Sequence, residues 1–285
     1  MKRCLSILIC TLLLLSFHGC STAPESNIVA TTLPVYEFTS RLCNGTDITV
    51  SQLISEPVSC LHDYTLQVDQ MQAITNADMI ILSGAGLEDF MADALAASRQ
   101  MVDASSGIAL HHEHHHDHGH DADPHIWLSP ANAKVMVQNI CRSLCDKYPQ
   151  HKTTFLGNQN KLLADLDQLQ ACGEASLAQL NCRKLITFHD GFGYFAESFD
   201  LHILKAVEEE SGSEASALTL IELIELVQSN KLPAVFTEIN GAESAAQIIA
   251  NETGVKIYDL DMAMSGNSYF DSMYRNIKTI EEALQ

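Results

Sequence analysis

Seven histidines stand within the ten residues from 111 to 120: His111, His112, His114, His115, His116, His118 and His120. Neutral imidazole suits Zn2+, Cu2+, Ni2+ and Fe2+ far better than Mg2+ or Ca2+, so this tract points to a borderline-soft transition ion. A polar loop whose histidines only keep it solvated is the alternative, but chance composition does not pack imidazoles this densely. The tract names a class of ligand without locating a specific site.

Three isolated histidines supply a location. His62 stands in Leu61-His62-Asp63-Tyr64, and His125 in Asp123-Pro124-His125-Ile126-Trp127-Leu128-Ser129-Pro130. His189 stands in Thr187-Phe188-His189-Asp190-Gly191-Phe192-Gly193. His62 and His189 each follow a strand reading, and open α/β sheets bind ligands beyond the carboxyl ends of their strands. Any one of the three alone is more often a surface or satisfied core residue. Together they outweigh that reading. Zn2+ takes four ligands, so three imidazoles leave room for one more donor. Asp261 at the end of Ile257-Tyr258-Asp259-Leu260-Asp261 is placed to supply it, with Asp259 as the alternative on the same strand face. Glu238, closing Val235-Phe236-Thr237-Glu238, is a third acid at this edge, expected behind the ligands or against backbone amides. Three nitrogens and one carboxylate make Zn2+ the expected ion, with Mn2+ and Fe2+ next.

The elements that must hold these residues follow from periodicity. Residues 28–32 and 48–54 read as strands, 67–77 as a helix with Val68, Met71 and Ile74 on one face, and 78–82 as a strand. A helix is expected over 87–97. The alternation returns with strands at 184–188, 201–207, 234–238 and 255–259. Helices at 191–199, 215–230, 243–253 and 269–284 separate and follow them. Strands alternating with helices indicate parallel sheets with covering helices, so the fold expected is α/β with two similar lobes. Between them, 150–180 reads as one long helix with Leu162, Leu163, Leu166 and Leu169 as its apolar stripe, although Gly157 and Gly173 weaken it. The expected organisation is a leader at 1–19, a tether at 20–27, a first lobe at 28–149 with the histidine loop, the joining helix at 150–180, and a second lobe at 181–285.

Lys2 and Arg3 followed by an apolar run to Phe17 read as a secretory signal, too short to span a membrane. Cys20 after Gly19 is the expected lipid-acceptor residue, which places the protein outside the cytoplasm on a lipid anchor, or free in the periplasm. The chain carries 16 Lys and Arg against 36 Asp and Glu, a formal net charge of −20, which excludes nucleic acid as a partner. Cys43, Cys60, Cys141, Cys145, Cys172 and Cys182 admit too many pairings for the sequence to choose among them.

The ordered set of motifs resembles the cluster A-I solute-binding proteins, extracytoplasmic zinc or manganese receptors of ATP-binding-cassette importers. The likeness rests on His62-Asp63-Tyr64, Ala77-Asp78-Met79-Ile80, Asp123 through Pro130, His189 through Phe195, Val235 through Glu238, and Ser268-Tyr269 through Met273 to Asn276. The resemblance implies two α/β lobes joined by one long linker helix, with one metal between them. It implies His62, His125, His189 and an acid best matched by Asp261 as ligands. It further implies a monomer that works with a permease and its ATPase and is not an enzyme. A histidine-rich loop before the second ligand implies zinc as the cargo, with the loop's imidazoles as weak accessory sites. Two other classes fit the sequence less well. An exported zinc hydrolase lacks a His-Glu-x-x-His pair here, and a surface adhesin of the same fold has no sequence feature of its own.

Overall fold

In this computed structural model the described residues are 27–57, 61, 64–96, 98–111, 122–207, 215–239, 241 and 243–285. The leader, Cys20, Cys60 and His62 fall outside them, as does the histidine tract after His111. Among the described residues no helix is long and apolar enough to cross a membrane.

Two four-stranded parallel sheets make the frame. In the first lobe, β1 (Asn27–Ala30), β2 (Thr49–Gln52), β3 (Met79–Leu82) and β4 (Met101–Asp103) lie in the order β2-β1-β3-β4. In the second, β5 (Lys184–Thr187), β6 (His202–Ala206), β7 (Ala234–Glu238) and β8 (Lys256–Leu260) repeat it as β6-β5-β7-β8. Each sheet sets its first strand beside its third, so the winding reverses between them. A crevice opens at those two carboxyl ends. Ile28-Val29-Ala30 and all of β7 are buried, as strands covered on both faces must be.

The helices are α1 (Leu33–Cys43), α2 (Val68–Asn76), α3 (Ala92–Leu95), α4 (Pro130–Lys147), α5 (Lys152–Ser176), α6 (Gly193–Ser198), α7 (Ala217–Asn230), α8 (Ser244–Thr253) and α9 (Tyr269–Leu284). Ser129 caps α4 by accepting from Asn132 N, and Pro130 fits its first turn, where no N–H is needed. The long helix expected at 150–180 is α5, preceded by a 3-10 turn at Pro149–His151. At 25 residues it runs for roughly 38 Å. Neither glycine breaks it. A Cβ on Gly173 would lie 2.2 Å from the Phe199 ring, so this glycine admits a second-lobe aromatic against the helix backbone. Phe155, Leu162, Leu166 and Leu169 are buried against α1, α4 and α9.

One core runs from the first lobe along α5 to Phe192, Phe195, Phe199 and Tyr269. A smaller one fills the outer face of the second sheet beneath α7 and α8. Hydrogen bonds stitch the lobes beside the cleft. Trp127 Nε1 donates to the Met262 carbonyl at 2.7 Å, Tyr269 OH to the Trp127 carbonyl at 2.8 Å, and Leu33 N to the Met264 carbonyl at 3.1 Å.

Some expectations change. The helix expected over 87–97 is a 3-10 turn at Asp89–Met91 followed by the single turn α3, because Glu88 is drawn inward to bond Thr31, Ser83 and Gly84. On α2, Val68 and Met71 face solvent; Ile74 is buried together with Gln70, whose amide donates to the Leu53 carbonyl and to Tyr64 OH. On α7, Leu223 and Val227 face inward while Leu218 and Ile221 are exposed. The short edge strand β4 has no counterpart in the sequence reading. The described cysteines Cys43, Cys141, Cys145, Cys172 and Cys182 are free thiols. Burial pushes the Cys141 thiol up to about 12, so it packs as an apolar group rather than reacting.

Candidate metal centre

His189 lies two residues beyond β5, at the second-lobe crevice, and Glu238 ends the neighbouring β7. His125 reaches the same place from the first lobe, on the turn between Pro124 and the 3-10 segment Ile126–Leu128. Their rings meet edge to face with centroids 5.1 Å apart, and the two Nε2 atoms are 3.4 Å apart. That separation is long for a direct hydrogen bond. It equals the spacing of two nitrogens each about 2.05 Å from one tetrahedral ion, about 3.4 Å.

Each ring has a carboxylate behind it. Asp123 Oδ1 lies 2.8 Å from His125 Nδ1 and also accepts from the His125 backbone N–H at 2.9 Å. Glu238 Oε2 lies 3.4 Å from His189 Nδ1. At His125 the Asp123 carboxylate holds the proton on Nδ1 and leaves the Nε2 lone pair for an ion. Glu238 is buried, and desolvation, offset in part by His125, pushes its carboxyl up to about 7. Its Oε2 has no hydrogen-bond partner among the described residues. Gly191 lies at the edge of both rings. A Cβ there would be 2.7 Å from His189 Cδ2, 3.0 Å from His125 Cε1 and 2.6 Å from Met262 Cε. These ring carbons flank the two Nε2 atoms, so the missing side chain leaves the ion's approach open.

The structure brings together His125, His189 and Glu238. Asp261 and Asp259 each have partners on their own side of the second lobe. Asp261 Oδ2 is 2.9 Å from Arg275 Nη1, and its Oδ1 accepts from Ala263 N at 2.8 Å. Asp259 Oδ1 accepts from Thr237 Oγ1 at 2.6 Å. Among the described residues no group of three His, Cys, Asp or Glu side chains forms a metal cluster, and His62 lies outside them.

Of the histidine tract, His111 is described. Its ring stacks on Tyr194 of α6 at 4.0 Å, and its Nε2 lies 2.8 Å from Glu197 Oε2. His111 N donates to Tyr194 OH, which donates to the Asp123 carbonyl, while Asp123 N donates to the His111 carbonyl. His111 and Asp123, which flank the rest of the tract, are thus fastened together against the second lobe, Asp123 two residues before His125. His112, His114, His115, His116, His118 and His120 lie outside the described residues.

The sequence reading assigned no role to Asp123, Gly191, Met262 or Arg275. The Asp-Pro-His order was the available signal for Asp123, since a carboxylate two residues before a histidine across a proline turn can fold back on the ring. Arg275 offered none, because its partner lies 14 residues away.

A family model for the zinc-uptake complex component A, periplasmic (ZnuA), matches residues 28–283. The zinc-binding lipoprotein AdcA of Streptococcus pneumoniae (strain ATCC BAA-255 / R6) is 29% identical over 311 residues, which cover 99% of this chain. This chain spans 61% of that relative's length. A crystal structure of ZnuA superimposes with a TM-score of 0.79 at 27% identity, covering 91% of this chain and 99% of the other. The Zn(II)-bound ZnuA-like domain of Streptococcus pneumoniae AdcA gives a TM-score of 0.77 at 28% identity, covering 91% and 99%. The repeated parallel sheets and the long helix between them are accounted for together: the chain belongs to the ZnuA family of zinc-uptake components.

Proposed function

We propose that this protein is an extracytoplasmic zinc receptor that captures one Zn2+ between its lobes and hands it to the permease of an ATP-binding-cassette importer. The observation that carries this reading is the pair of Nε2 atoms 3.4 Å apart, each imidazole backed by a carboxylate. Family membership and the zinc-bound relative support it. His125 and His189 hold the ion from opposite lobes, and His62 brings the third nitrogen from the segment after β2. Asp261 borders the fourth position. Imidazole donors suit Zn2+ better than Mn2+, which prefers oxygen.

The acid that a hydrolase would use as its base, Glu238, sits on the Nδ1 side of His189, away from Nε2. A binding site fits that placement better than a catalytic one. The loop from His111 to His120 gathers zinc weakly at the mouth. Cys20 carries lipid that keeps the receptor at the outer face of the cytoplasmic membrane. Acid releases the ion, because protonation below the ordinary imidazole pKa of about 6.5 competes with the metal.

The test is calorimetric titration of the chain without its leader and without residues 112–120, with Zn2+ and then Mn2+. One tight Zn2+ site is expected. No tight site would move binding to the loop and overturn this reading, and tight Mn2+ binding with little preference for Zn2+ would make it a manganese receptor.

A further inference from the structure

On the zinc-receptor reading, we infer that the Met262 side chain gates the passage of the ion to and from the histidine pair. It sets how fast zinc exchanges without setting how tightly zinc is held.

Gly191 leaves a gap beside both imidazoles, and the Met262 methyl enters it. One point, where a Cβ of residue 191 would stand, lies 2.6 Å from Met262 Cε, 2.7 Å from His189 Cδ2 and 3.0 Å from His125 Cε1. In an imidazole both of those ring carbons are bonded to Nε2. The methyl therefore sits beside the atoms proposed to hold the ion, in the space that the glycine opens. The His125 and His189 side chains are only 9% and 13% exposed, and Met262 is 5% exposed. An ion that reaches a pair so nearly closed off needs some part of the wall to move.

The main chain around Met262 does not supply that movement. Before it, Asp261 N donates to Asn276 Oδ1 at 2.8 Å, and Asn276 Nδ2 donates to the Asp261 carbonyl at 2.7 Å. The Met262 carbonyl itself accepts from Trp127 Nε1 at 2.7 Å, and after it the Met264 carbonyl accepts from Leu33 N at 3.1 Å. Asn276 and Trp127 are fully buried, and Tyr269 OH donates to the Trp127 carbonyl at 2.8 Å. Breaking a buried bond of this kind leaves a donor or acceptor unpaired, so the segment stays tied to the turn that carries His125. What can move is the side chain. Methionine is unbranched and has three rotatable bonds, so its methyl swings aside readily. A group in the passage raises the barrier to entry and to exit alike. It changes both rates by one factor and leaves their ratio in place, because it does not distinguish the bound from the free state.

The experiment follows Zn2+ uptake and release by stopped flow with a fluorescent chelator on the full mature chain, for wild type, Met262→Ala and Met262→Ile. Cutting the side chain back to alanine opens the passage, and both rates are expected to rise together by about tenfold, the factor made by about 1.4 kcal/mol of barrier. Isoleucine is branched at Cβ and stiff at χ1, so both rates are expected to fall. In each variant the affinity, as the ratio of the two rates, is expected to stay within about threefold of wild type. Met262→Leu conserves volume, is expected to slow both rates less than isoleucine does, and serves where thermal unfolding shows that another variant has lost its fold. A change of about tenfold or more in affinity, carried by the release rate alone, overturns the gate, because Met262 then acts on the bound ion or on the packing of the histidines. Unchanged rates in the variants beside a tight wild-type site overturn the gate and leave the receptor reading intact. Absence of a tight Zn2+ site in wild type overturns both.

Discussion

Glu88 and Glu238 occupy matching places in the two lobes and are used in opposite ways. Each is a buried acid at the crevice between the first and third strands of its sheet, and burial pushes each carboxyl up to about 7. Glu88 is saturated. Its Oε1 takes the Thr31 hydroxyl at 2.6 Å and the Ser83 N–H at 2.7 Å, and its Oε2 takes the Gly84 N–H at 3.0 Å. It ties the ends of β1 and β3 together and closes that crevice. Glu238 ends β7 with Oε2 lacking a hydrogen-bond partner among the described residues and turned toward His189. A buried carboxylate left in that state costs stability, and folds retain such groups where chemistry needs them. The repeated topology thus offers two crevices; one is consumed as architecture and the other is kept for a ligand. The first lobe reaches the centre through His125 on a later loop, joined in the proposed ligand set by His62 from the segment after β2.

The comparison breaks first at the histidines. His125→Ala and His189→Ala should each lower Zn2+ affinity by roughly a hundredfold or more, since structural zinc sites derive about 3 kcal/mol from each of four donors. Calorimetry on either variant checks it. A loss below tenfold would mean that the pair is a packed couple and not a site.

Exchanging the two acids sharpens the contrast. Glu88→Ala strands three buried donors and should cost about 3 kcal/mol in denaturant unfolding while leaving zinc affinity close to wild type. Glu238→Gln should do the reverse, with a 10- to 100-fold loss of zinc affinity, about the scale for carboxylates behind metal-binding histidines, and a small change in stability. Asp123→Asn should resemble Glu238→Gln. If both acids moved stability and neither moved affinity, the crevices would be equivalent and the distinction lost.

The raised pKa of Glu88 adds a pH signature. A carboxyl that titrates near 7 when folded and near 4.5 when unfolded holds its proton in the native state over that interval. Its contribution is complete below about 4.5 and is lost as pH rises through 7, a change on the order of 3 kcal/mol at most. Metal-free wild type should therefore lose stability from pH 5 to pH 7.5, and Glu88→Gln should show a visibly shallower decline by chemical denaturation. Equal slopes would show that the three hydrogen bonds keep Glu88 ionised throughout.

Much of this was legible in the chain, and the gaps have physical causes. Strand–helix alternation and the continuous apolar runs at 28–30 and 234–236 specify parallel, doubly covered sheets, and the two lobes follow. The meeting of His125 with His189 could be read because both stand in short turns set by Pro124 and Gly191, one of them just past a strand. The acid could not be chosen. Period-two alternation puts Asp259 and Asp261 on the same face, and their partners Thr237 and Arg275 decide where the carboxylates go. Apolar spacing also misjudged α2, where the bonded amide of Gln70 occupies the inner face that Val68 and Met71 were expected to hold. The break in the helix expected at 87–97 was equally hidden, because it depends on Glu88 finding Thr31, 57 residues earlier.

The smallest effect asks whether the second crevice is chemically self-contained. His111 and Asp123, on either side of residues 112–120, are joined by the Asp123 N–H on the His111 carbonyl and are held to α6 by Tyr194. Removing residues 112–120 and closing the gap with a short glycine linker leaves those bonds, the Asp123 carboxylate and the histidine pair in place. Equilibrium affinity at the tight site should then change by less than about threefold, below the tenfold scale of a group that orients a ligand. The rate of loading from dilute zinc should fall instead if the tract acts, as proposed, as weak imidazole sites that raise the local supply of the ion. Stopped-flow competition with a fluorescent chelator reads both quantities in one experiment. A tenfold or greater loss of affinity with an unchanged rate would place a tract histidine on the ion itself, and the division between a gathering loop and a holding crevice would fail.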